Sequence, residues 1–384
     1  MSRFTATDQT WGPHTGDVCP GTWTTLNWLK EDDPRRLAHL WNRANHVRKL
    51  TVGDGVHLRG LIEISNHCRR RCSYCGLRGP NAELERYRMT ADEILEAAGL
   101  ARDLGFGTVV LQSGEDPGRT APDIADIVRR IKSETGLAVT LSLGEHPADE
   151  LELWRSAGAD RYLLRFETSD PALYALMHPD RPDGLEDRIA QLLAMREMGY
   201  EIGGGVMVGL PGQSHESLAR DIELFRDFDM DMVGLGPYIP NPHTPMGVQG
   251  NATGLGEDQV PSTQLMACNA IALTRLACPE ANIPATTALA TMKDGRRSAM
   301  AAGANVIMPN VTPRDYVHHY RIYPSKARAA RTARPTPGWM QKRLQNLGRY
   351  AAEGPGNRAG RGFRPRGRRE MRNETVVRPN SQSR

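Results

Sequence analysis

The stretch LIEISNHCRRRCSYC, residues 61–75, joins an apolar run to three closely spaced cysteines. Cys68, Cys72 and Cys75 have the spacing C-x3-C-x2-C, which brings three thiolates onto one short loop. A closed structural zinc site takes four protein ligands, whereas an iron–sulfur cluster on three thiolates leaves one iron open to another ligand. The motif therefore predicts a metal centre with an open position. The alternatives are a zinc site completed by a remote His or Cys, and a chance grouping of reduced thiols.

The apolar run before the cysteines is the first of eight such runs that alternate with segments of helical character. Val, Ile and Leu dominate these runs without polar alternation, as expected of parallel strands buried on both faces. Thr90 and Glu93 predict a capping box at the start of one helix, and Asp33 followed by Pro34 predicts the start of another. Eight strand–helix units predict an α/β fold, a (β/α)8 TIM-type barrel. The predicted strands are 61–65, 108–112, 138–143, 161–166, 202–208, 232–236, 282–285 and 305–308.

The 384-residue chain has three predicted parts: an N-terminal extension with a helix (1–50), the barrel (51–325) and a basic tail (326–384). The tail carries 16 Lys and Arg against 3 Asp and Glu, which leaves 33 basic and 42 acidic residues in the rest. Its richness in Gly, Pro and Arg predicts disorder. Because no nucleic-acid-binding fold accompanies the tail, a solvated extension or a contact with an acidic partner is favoured over nucleic-acid binding.

The remaining composition points to a reducing compartment. Residues 1–25 lack the apolar core of a signal peptide, and no apolar run approaches the length of a membrane span. Cys19, Cys268 and Cys278 form no disulfide-like framework. We therefore expect a cytoplasmic protein without a membrane partner.

Polar side chains and glycine follow the predicted strands, at the end where barrel enzymes carry their catalytic groups. Residues 113–115 (Ser-Gly-Glu) follow the second strand, Glu145 follows the third, and Arg165 and Glu167 lie at the end of the fourth. A guanidinium beside carboxylates can bind a zwitterion such as an amino acid, because Arg165 pairs with its carboxylate while Glu145 or Glu167 accepts from its ammonium. The alternative for any one of these residues is an ordinary solvated loop charge.

The cysteine motif, with Tyr74 before the third cysteine, resembles the signature of the radical S-adenosylmethionine (SAM) superfamily. Six further segments resemble a narrower group, the HydE family of radical SAM maturases of FeFe-hydrogenase. The likeness extends from about residue 58 to residue 323, and biotin synthase and methylornithine synthase are related families. The six segments are 112–116, 141–145, 158–165, 205–213, 283–287 and 303–310.

The resemblance implies a role for each matching residue. The three cysteines would hold a 4Fe–4S cluster whose open iron binds SAM, and the catalytic residues would be Glu145, Arg165 and Tyr320. The residues implied to contact SAM are Tyr74, Ser113, Gly114, Glu115, Glu145, Arg165 and Glu167. The residues implied to line the substrate cavity are Thr286, Thr287, Tyr320 and Tyr323.

The implied reaction is reductive cleavage of SAM to a 5′-deoxyadenosyl radical, which attacks a cysteine-bound iron complex carrying CO and cyanide. The implied partners are a low-potential electron donor, which Arg69–Arg71 could dock, and other hydrogenase maturases that supply or receive the iron complex. The alternatives are a biotin synthase-like or methylornithine synthase-like enzyme, and a scaffold that carries an iron cluster without catalysis.

Two departures from the family pattern are visible. Phe166 stands between Arg165 and Glu167, where HydE proteins often have His, so no histidine can assist there. No cysteine follows Cys278, so the accessory cluster found in some family members is expected to be absent.

Overall fold

The computed structural model describes residues 24–249, 256–324 and 337–359. Its core is a curled sheet in which every strand pair is parallel. The strands are β1 (Gly55–Ser65), β2 (Thr108–Ser113), β3 (Ala138–Ser142), β4 (Arg161–Leu163), β5 (Glu201–Val208), β6 (Met232–Pro237), β7 (Val306–Ile307) and β8 (Tyr350–Ala351). Their order is β6-β5-β4-β3-β2-β1-β7, with β8 added to β1.

The barrel closes between β6 and β7 through residues 282–284, which replace a regular strand. Asn282 makes an isolated parallel bridge to Met232, and Pro284 makes one to Val306. Proline has no N–H to donate to a ladder, which keeps this segment from extending as a strand. The (β/α)8 class is therefore confirmed, while the predicted strand 282–285 is present as two bridges.

Helices cover the outside of the barrel, and their sequence-encoded caps are in place. The Thr90–Glu93 capping box is formed, and the Asp33 side chain caps a helix that has Pro34 in its first turn. The helices before β6 are α1 (Thr25–Leu29), α2 (Pro34–Val52), α3 (Ala91–Asp103), α4 (Ala121–Thr135), α5 (Ala148–Ser156), α6 (Pro171–Met177), α7 (Leu185–Glu197) and α8 (His215–Asp227). Those after β6 are α9 (Pro245–Gln249), α10 (Gln264–Ala277), α11 (Thr287–Ala290), α12 (Gly295–Ala301), α13 (Arg314–Val317) and α14 (Pro337–Gln345). None of the helices in the described residues has the length and hydropathy needed to span a membrane.

Part of the basic tail is ordered, which corrects the prediction of disorder from residue 326 onward. Helix α14 buries Leu344, and β8 pairs with Gly55 and Val56 at the start of β1. Residues 349–358 then cross the N-terminal end of the barrel, and we call this segment the floor strap. It is held because the buried side chains of Arg59 and Arg161 donate to its carbonyl oxygens. Residues 1–23, 325–336 and 360–384 lie outside the described residues, and the expectations about them stay predictions.

Candidate active site

The cysteine loop follows β1 at the C-terminal end of the barrel, which we call the mouth. Its backbone is fixed by Arg69 N–H, which donates to the Glu115 carbonyl (3.0 Å), and by Ser73 N–H, which donates to the Met177 carbonyl (2.8 Å). Gly114 permits this approach, because a Cβ there would lie 2.5 Å from the Cβ of Cys68. The sequence Ser-Gly-Glu at the end of β2 therefore supports the cysteine loop.

Cys68, Cys72 and Cys75 line one cavity of about 300 Å³. Burial, followed by the charges of Cys75 and Cys68, raises the pKa of Cys72 well above its ordinary value. Three thiolates in this position would repel one another unless a cation neutralised them. Within the described ranges no set of three His, Cys, Asp or Glu residues is gathered tightly enough for a single metal ion. Three thiols that line one cavity fit a cationic iron–sulfur cluster, which takes a thiolate at each of several irons.

A network of arginines and glutamates surrounds the loop, and we call Arg70, Arg181, Arg188, Glu115 and Glu145 the mouth network. Arg70 bridges two strand ends, because its Nε lies 2.7 Å from Glu115 Oε2 and its Nη2 lies 3.0 Å from Glu145 Oε2. Glu145 also accepts from Arg188 Nε at 2.6 Å and from Arg181. Burial raises the pKa of Glu115, but the hydrogen bond and charge of Arg70 outweigh it and leave that pKa below its ordinary value.

The mouth network determines where the Glu145 side chain lies. Arg70 and Arg188 line the cavity and Glu145 does not, although the neighbouring Gly144 does. Glu145 is instead held by Arg70, Arg181 and Arg188. The Glu145 carboxylate thus lies beside the cavity within a set of arginines, and its contact with a bound zwitterion stays a prediction.

Arg165 and Glu167 both line the cavity, and Phe166 between them does not. Arg165 Nη2 lies 3.0 Å from Glu167 Oε2 and donates to the Val206 carbonyl at 2.6 Å. Glu167 has a left-handed backbone (φ 68°), and burial raises the pKa of its carboxyl against the charges of Arg165 and Arg188. Phe166 is fully buried and lies 5.7 Å from Phe225 between ring centroids, so this position is part of the hydrophobic core.

Four residues expected at the inner cavity line the same space. The Tyr323 hydroxyl donates to Thr287 Oγ1 at 3.1 Å, and Tyr320 is fully buried. Thr286 Oγ1 is buried and has no hydrogen-bond partner in the described part of the chain. Thr286, Thr287, Tyr320 and Tyr323 thus share one cavity with the three cysteines and with Tyr74, Ser113, Gly114, Glu115, Arg165 and Glu167.

Arg188 and Arg181 were missed by reasoning from the sequence. Arg188 lies on the buried stripe of α7 with Leu185 and Leu192. An arginine three residues after one buried leucine and four residues before another lies on the buried face of the helix. Its charge then needs a partner inside the protein. That spacing could have identified Arg188, whereas nothing in the sequence singles out Arg181.

Comparison with known proteins identifies the class to which this fold and site belong. Residues 62–225 match the radical SAM superfamily, which confirms the first resemblance and defines a radical SAM enzyme. The chain is 48% identical over 288 residues to the [FeFe] hydrogenase maturase subunit HydE of Thermotoga maritima, covering 75% of this chain and 79% of that protein. The chain belongs to the HydE family.

More distant relatives agree with this assignment. The 3-methylornithine synthase of Methanosarcina acetivorans is 29% identical over 289 residues, covering 75% of this chain and 78% of that enzyme. The crystal structure of methylornithine synthase (PylB) has a TM-score of 0.72 at 25% identity, covering 86% of this chain and 93% of that one. The predicted kinship with methylornithine synthase is therefore confirmed.

Proposed function

We propose that this radical SAM enzyme matures FeFe-hydrogenase by acting on a cysteine-bound iron carbonyl and cyanide complex. The observation that carries the proposal is the single cavity, which joins the three cysteines to Arg165, Glu167 and the inner residues Thr286 and Tyr320. Such a cavity would place a radical initiator and a small substrate in one shared space. The 48% identity to HydE of Thermotoga maritima supports the choice of substrate over that of methylornithine synthase or biotin synthase.

Cys68, Cys72 and Cys75 would hold the 4Fe–4S cluster, and SAM would complete it at the open iron. When bound, the cluster and SAM supply one-electron cleavage of a carbon–sulfur bond. Arg165 and Arg188 line the cavity and would pair with the carboxylate of SAM, while Glu167 would accept from its ammonium. Glu145 would act through Arg188 and Arg70, which it positions.

The inner cavity would hold the iron complex with neutral groups. Burial raises the pKa of Tyr323 to about 12 and that of Tyr320 well above its ordinary value, so both phenols stay protonated. The Thr286 hydroxyl, which has no partner in the described residues, would donate to an anionic ligand of the complex. These residues would orient the substrate and exclude water.

The same proposal includes a low-potential electron donor, other hydrogenase maturases and a cytoplasmic setting. Of the three arginines considered for docking the donor, Arg70 is no longer proposed, because its side chain is only 16% exposed and pairs with Glu115 and Glu145. Arg71 is exposed, and Arg69 is 54% exposed although its Nε lies 3.1 Å from Glu115 Oε2, so these two would present positive charge to an acidic donor.

The test is anaerobic reconstitution with iron and sulfide, followed by SAM and dithionite. We expect wild-type protein to show cluster absorbance and to form 5′-deoxyadenosine, with faster formation when a synthetic cysteine-bound iron carbonyl cyanide complex is added. Cys72→Ala should lose the cluster and more than 99% of 5′-deoxyadenosine formation, because thiolate ligation holds the iron. Cys278→Ala, at a buried position away from the cavity, is the matched control and should keep both.

Two outcomes would count against the proposal. An intact cluster that yields no 5′-deoxyadenosine would return the chain to the scaffold alternative. Cleavage of SAM that ignores the iron complex, with its CO and cyanide infrared bands unchanged, would reject this substrate and leave the radical SAM activity standing.

A further inference from the structure

Tyr238, directly after β6, has a buried hydroxyl that the protein does not use. Its side chain lines the cavity, the residue is 5% exposed, and its hydroxyl has no hydrogen-bond partner in the described part of the chain. The backbone around the ring is fixed, because Tyr238 N–H donates to the Val208 carbonyl at 2.8 Å and Ser262 Oγ donates to the Tyr238 carbonyl. A buried, unpaired hydroxyl is destabilising unless a ligand or water satisfies it, so this group marks a contact for a bound molecule.

The other tyrosines that line the cavity interact with groups of the protein itself. Tyr323 donates to Thr287, and the Tyr74 hydroxyl lies 3.5 Å from His178 Nε2. Tyr320 also has an interaction within the protein. Tyr238 is therefore the cavity tyrosine whose hydroxyl is left for a ligand, as far as residues 24–249, 256–324 and 337–359 show.

The surroundings of Tyr238 are apolar and rich in methionine. Its ring belongs to a small buried cluster separate from the main core, with Tyr74 and Met207 packed at the edge. Tyr74 and Met207 line the cavity as well. Flat aromatic faces and flexible thioethers suit a planar heteroaromatic ring. The other members of the cluster are Leu173, Met177, Leu210 and Met246.

SAM has one aromatic part, its adenine, and one charged amino-acid end. The charged lining of the cavity comes from Arg165, Arg188 and Glu167, among others, and suits the amino-acid end. The adenine is then left for the apolar wall that carries Tyr238. We propose that the Tyr238 hydroxyl donates a hydrogen bond to a ring nitrogen of this adenine and is a specificity residue for the adenosyl group. The inference rests on the proposed function, since it takes SAM as the bound molecule.

The hydroxyl is suited to donation. Burial raises the pKa of Tyr238, so the phenol keeps its proton at neutral pH. An adenine ring nitrogen is an acceptor, and a site built to hydrogen-bond one ligand atom discriminates strongly against analogues that lack it.

The test compares wild type with Tyr238→Phe, which removes one oxygen and leaves the ring. The readout is the dissociation constant of S-adenosylhomocysteine, a ligand that is not cleaved, measured by anaerobic calorimetry on cluster-loaded protein. We expect Tyr238→Phe to bind about 5- to 20-fold more weakly, the loss typical of one buried hydrogen bond. Tyr200→Phe is the matched control, because the Tyr200 hydroxyl donates to the Leu151 carbonyl at 2.7 Å outside the cavity, and it should bind like wild type.

A second measurement separates contact from structure. Because the hydroxyl has no partner within the described chain, Tyr238→Phe should unfold at the same or a higher denaturant concentration than wild type, whereas Tyr200→Phe should be destabilised. Analogues of S-adenosylhomocysteine with one adenine ring nitrogen replaced by CH identify the acceptor. For one analogue, wild type and Tyr238→Phe should bind equally.

Each failure has a distinct meaning. Equal affinity of wild type and Tyr238→Phe for S-adenosylhomocysteine overturns this inference and leaves SAM cleavage untouched. A loss of affinity accompanied by an equal loss of stability also overturns it, because the hydroxyl would then be structural. A wild-type protein that loads its cluster yet binds neither SAM nor S-adenosylhomocysteine would instead refute the proposed function.

Discussion

The two ends of the barrel hold their arginines in different ways. At the mouth, Arg70 and Arg188 donate to the carboxylate of Glu145. At the floor, Arg59 Nη2 donates to the Gly356 carbonyl at 3.0 Å, and Arg161 Nη2 donates to a carbonyl of the same floor strap at 3.0 Å. The mouth arginines are thus shared between side-chain carboxylates. At the floor, both arginines hold backbone carbonyls of the floor strap, and Arg161 pairs with the carboxylate of Glu201 as well.

The ion pairs at the mouth can therefore be exchanged for pairs with a ligand, whereas the contacts at the floor are a fixed part of the fold. A guanidinium paired with a side-chain carboxylate can turn to the carboxylate of a ligand, since the two acceptors are chemically alike. A carbonyl in the floor strap cannot be replaced, because it is part of the chain that closes the barrel. At the floor, Arg161 pairs with the carboxylate of Glu201, and Arg59 lies close enough to feel the positive charge of Arg161. Burial and the charge of Arg161 lower the pKa of Arg59 to about 9, and burial with both arginines lowers that of His57 to about 4.

The largest predicted effect is on the floor. Arg161 is fully buried, and its guanidinium contacts Glu201 (2.5 Å), Thr108 Oγ1 (3.2 Å) and the Pro355 carbonyl. We expect Arg161→Leu to lower the free energy of unfolding by about 3–5 kcal/mol, because breaking a buried ion pair leaves its partner charge without compensation. Chemical denaturation under anaerobic, reducing conditions measures the loss.

The control for this prediction is Arg220→Leu. The Arg220 side chain is 53% exposed and pairs with Glu216 at 3.2 Å, so its removal should change stability by less than about 1 kcal/mol. If Arg161→Leu lowered the free energy of unfolding as little as Arg220→Leu, the floor would not depend on its buried arginine. The contrast between the two ends would then fail.

The second prediction concerns the pH dependence of stability, which a buried carboxyl near the mouth should cause. Asp221 of α8 is completely buried and accepts from Ser169 N–H at 2.6 Å, which anchors the turn after Glu167. Burial raises the pKa of Asp221 to about 7, against hydrogen bonding from Ser169 and the charge of Arg220. Since the folded state holds this proton more tightly than the unfolded state, the stabilisation is complete below the unfolded pKa near 3.8 and is lost as pH rises to about 7.

Wild type should therefore lose about 2–3 kcal/mol of unfolding free energy from this group between pH 5 and pH 8, at about 1.4 kcal/mol per pH unit. Asp221→Asn keeps an acceptor for Ser169 without a titrating proton, so its stability should vary less over the same range. Denaturation at pH 5, 6, 7 and 8 measures this, with the exposed Asp126→Asn as control. Parallel pH profiles for wild type and Asp221→Asn would show that the turn does not depend on a protonated carboxyl.

Much of the mouth could be predicted from the sequence for a topological reason. The C-terminal ends of parallel strands meet at one end of a barrel, so residues as distant in sequence as Cys68, Arg165 and Thr286 had to converge. The structure places them along one cavity, as expected. Their roles toward the cluster, SAM and substrate stay predictions.

The ion pairs and the floor strap could not be predicted in the same way. Glu145 pairs with Arg70 and Arg188, which are 75 and 43 residues away, and strand order does not fix such side-chain partners. The floor strap is rich in Gly and Pro without apolar periodicity, which is also the composition of disordered segments. Its order comes from buried arginines in β1 and β4 that need acceptors. A charged residue inside an apolar strand run, as at Arg59 and Arg161, is the one signal that the sequence offers.

The smallest predicted effect tests whether the mouth network is redundant. Arg181 contacts Glu145, but its side chain is 32% exposed and also pairs with Asp187 at 2.6 Å, while Arg70 and Arg188 remain on Glu145. Arg181→Gln should therefore change the dissociation constant of S-adenosylhomocysteine by less than about 3-fold and stability by less than about 0.5 kcal/mol. Arg188→Gln, which removes a cavity-lining charge, should weaken binding about 10-fold or more. Equal losses in the two variants would mean that Glu145 needs all three arginines, and the mouth would then be as rigid as the floor.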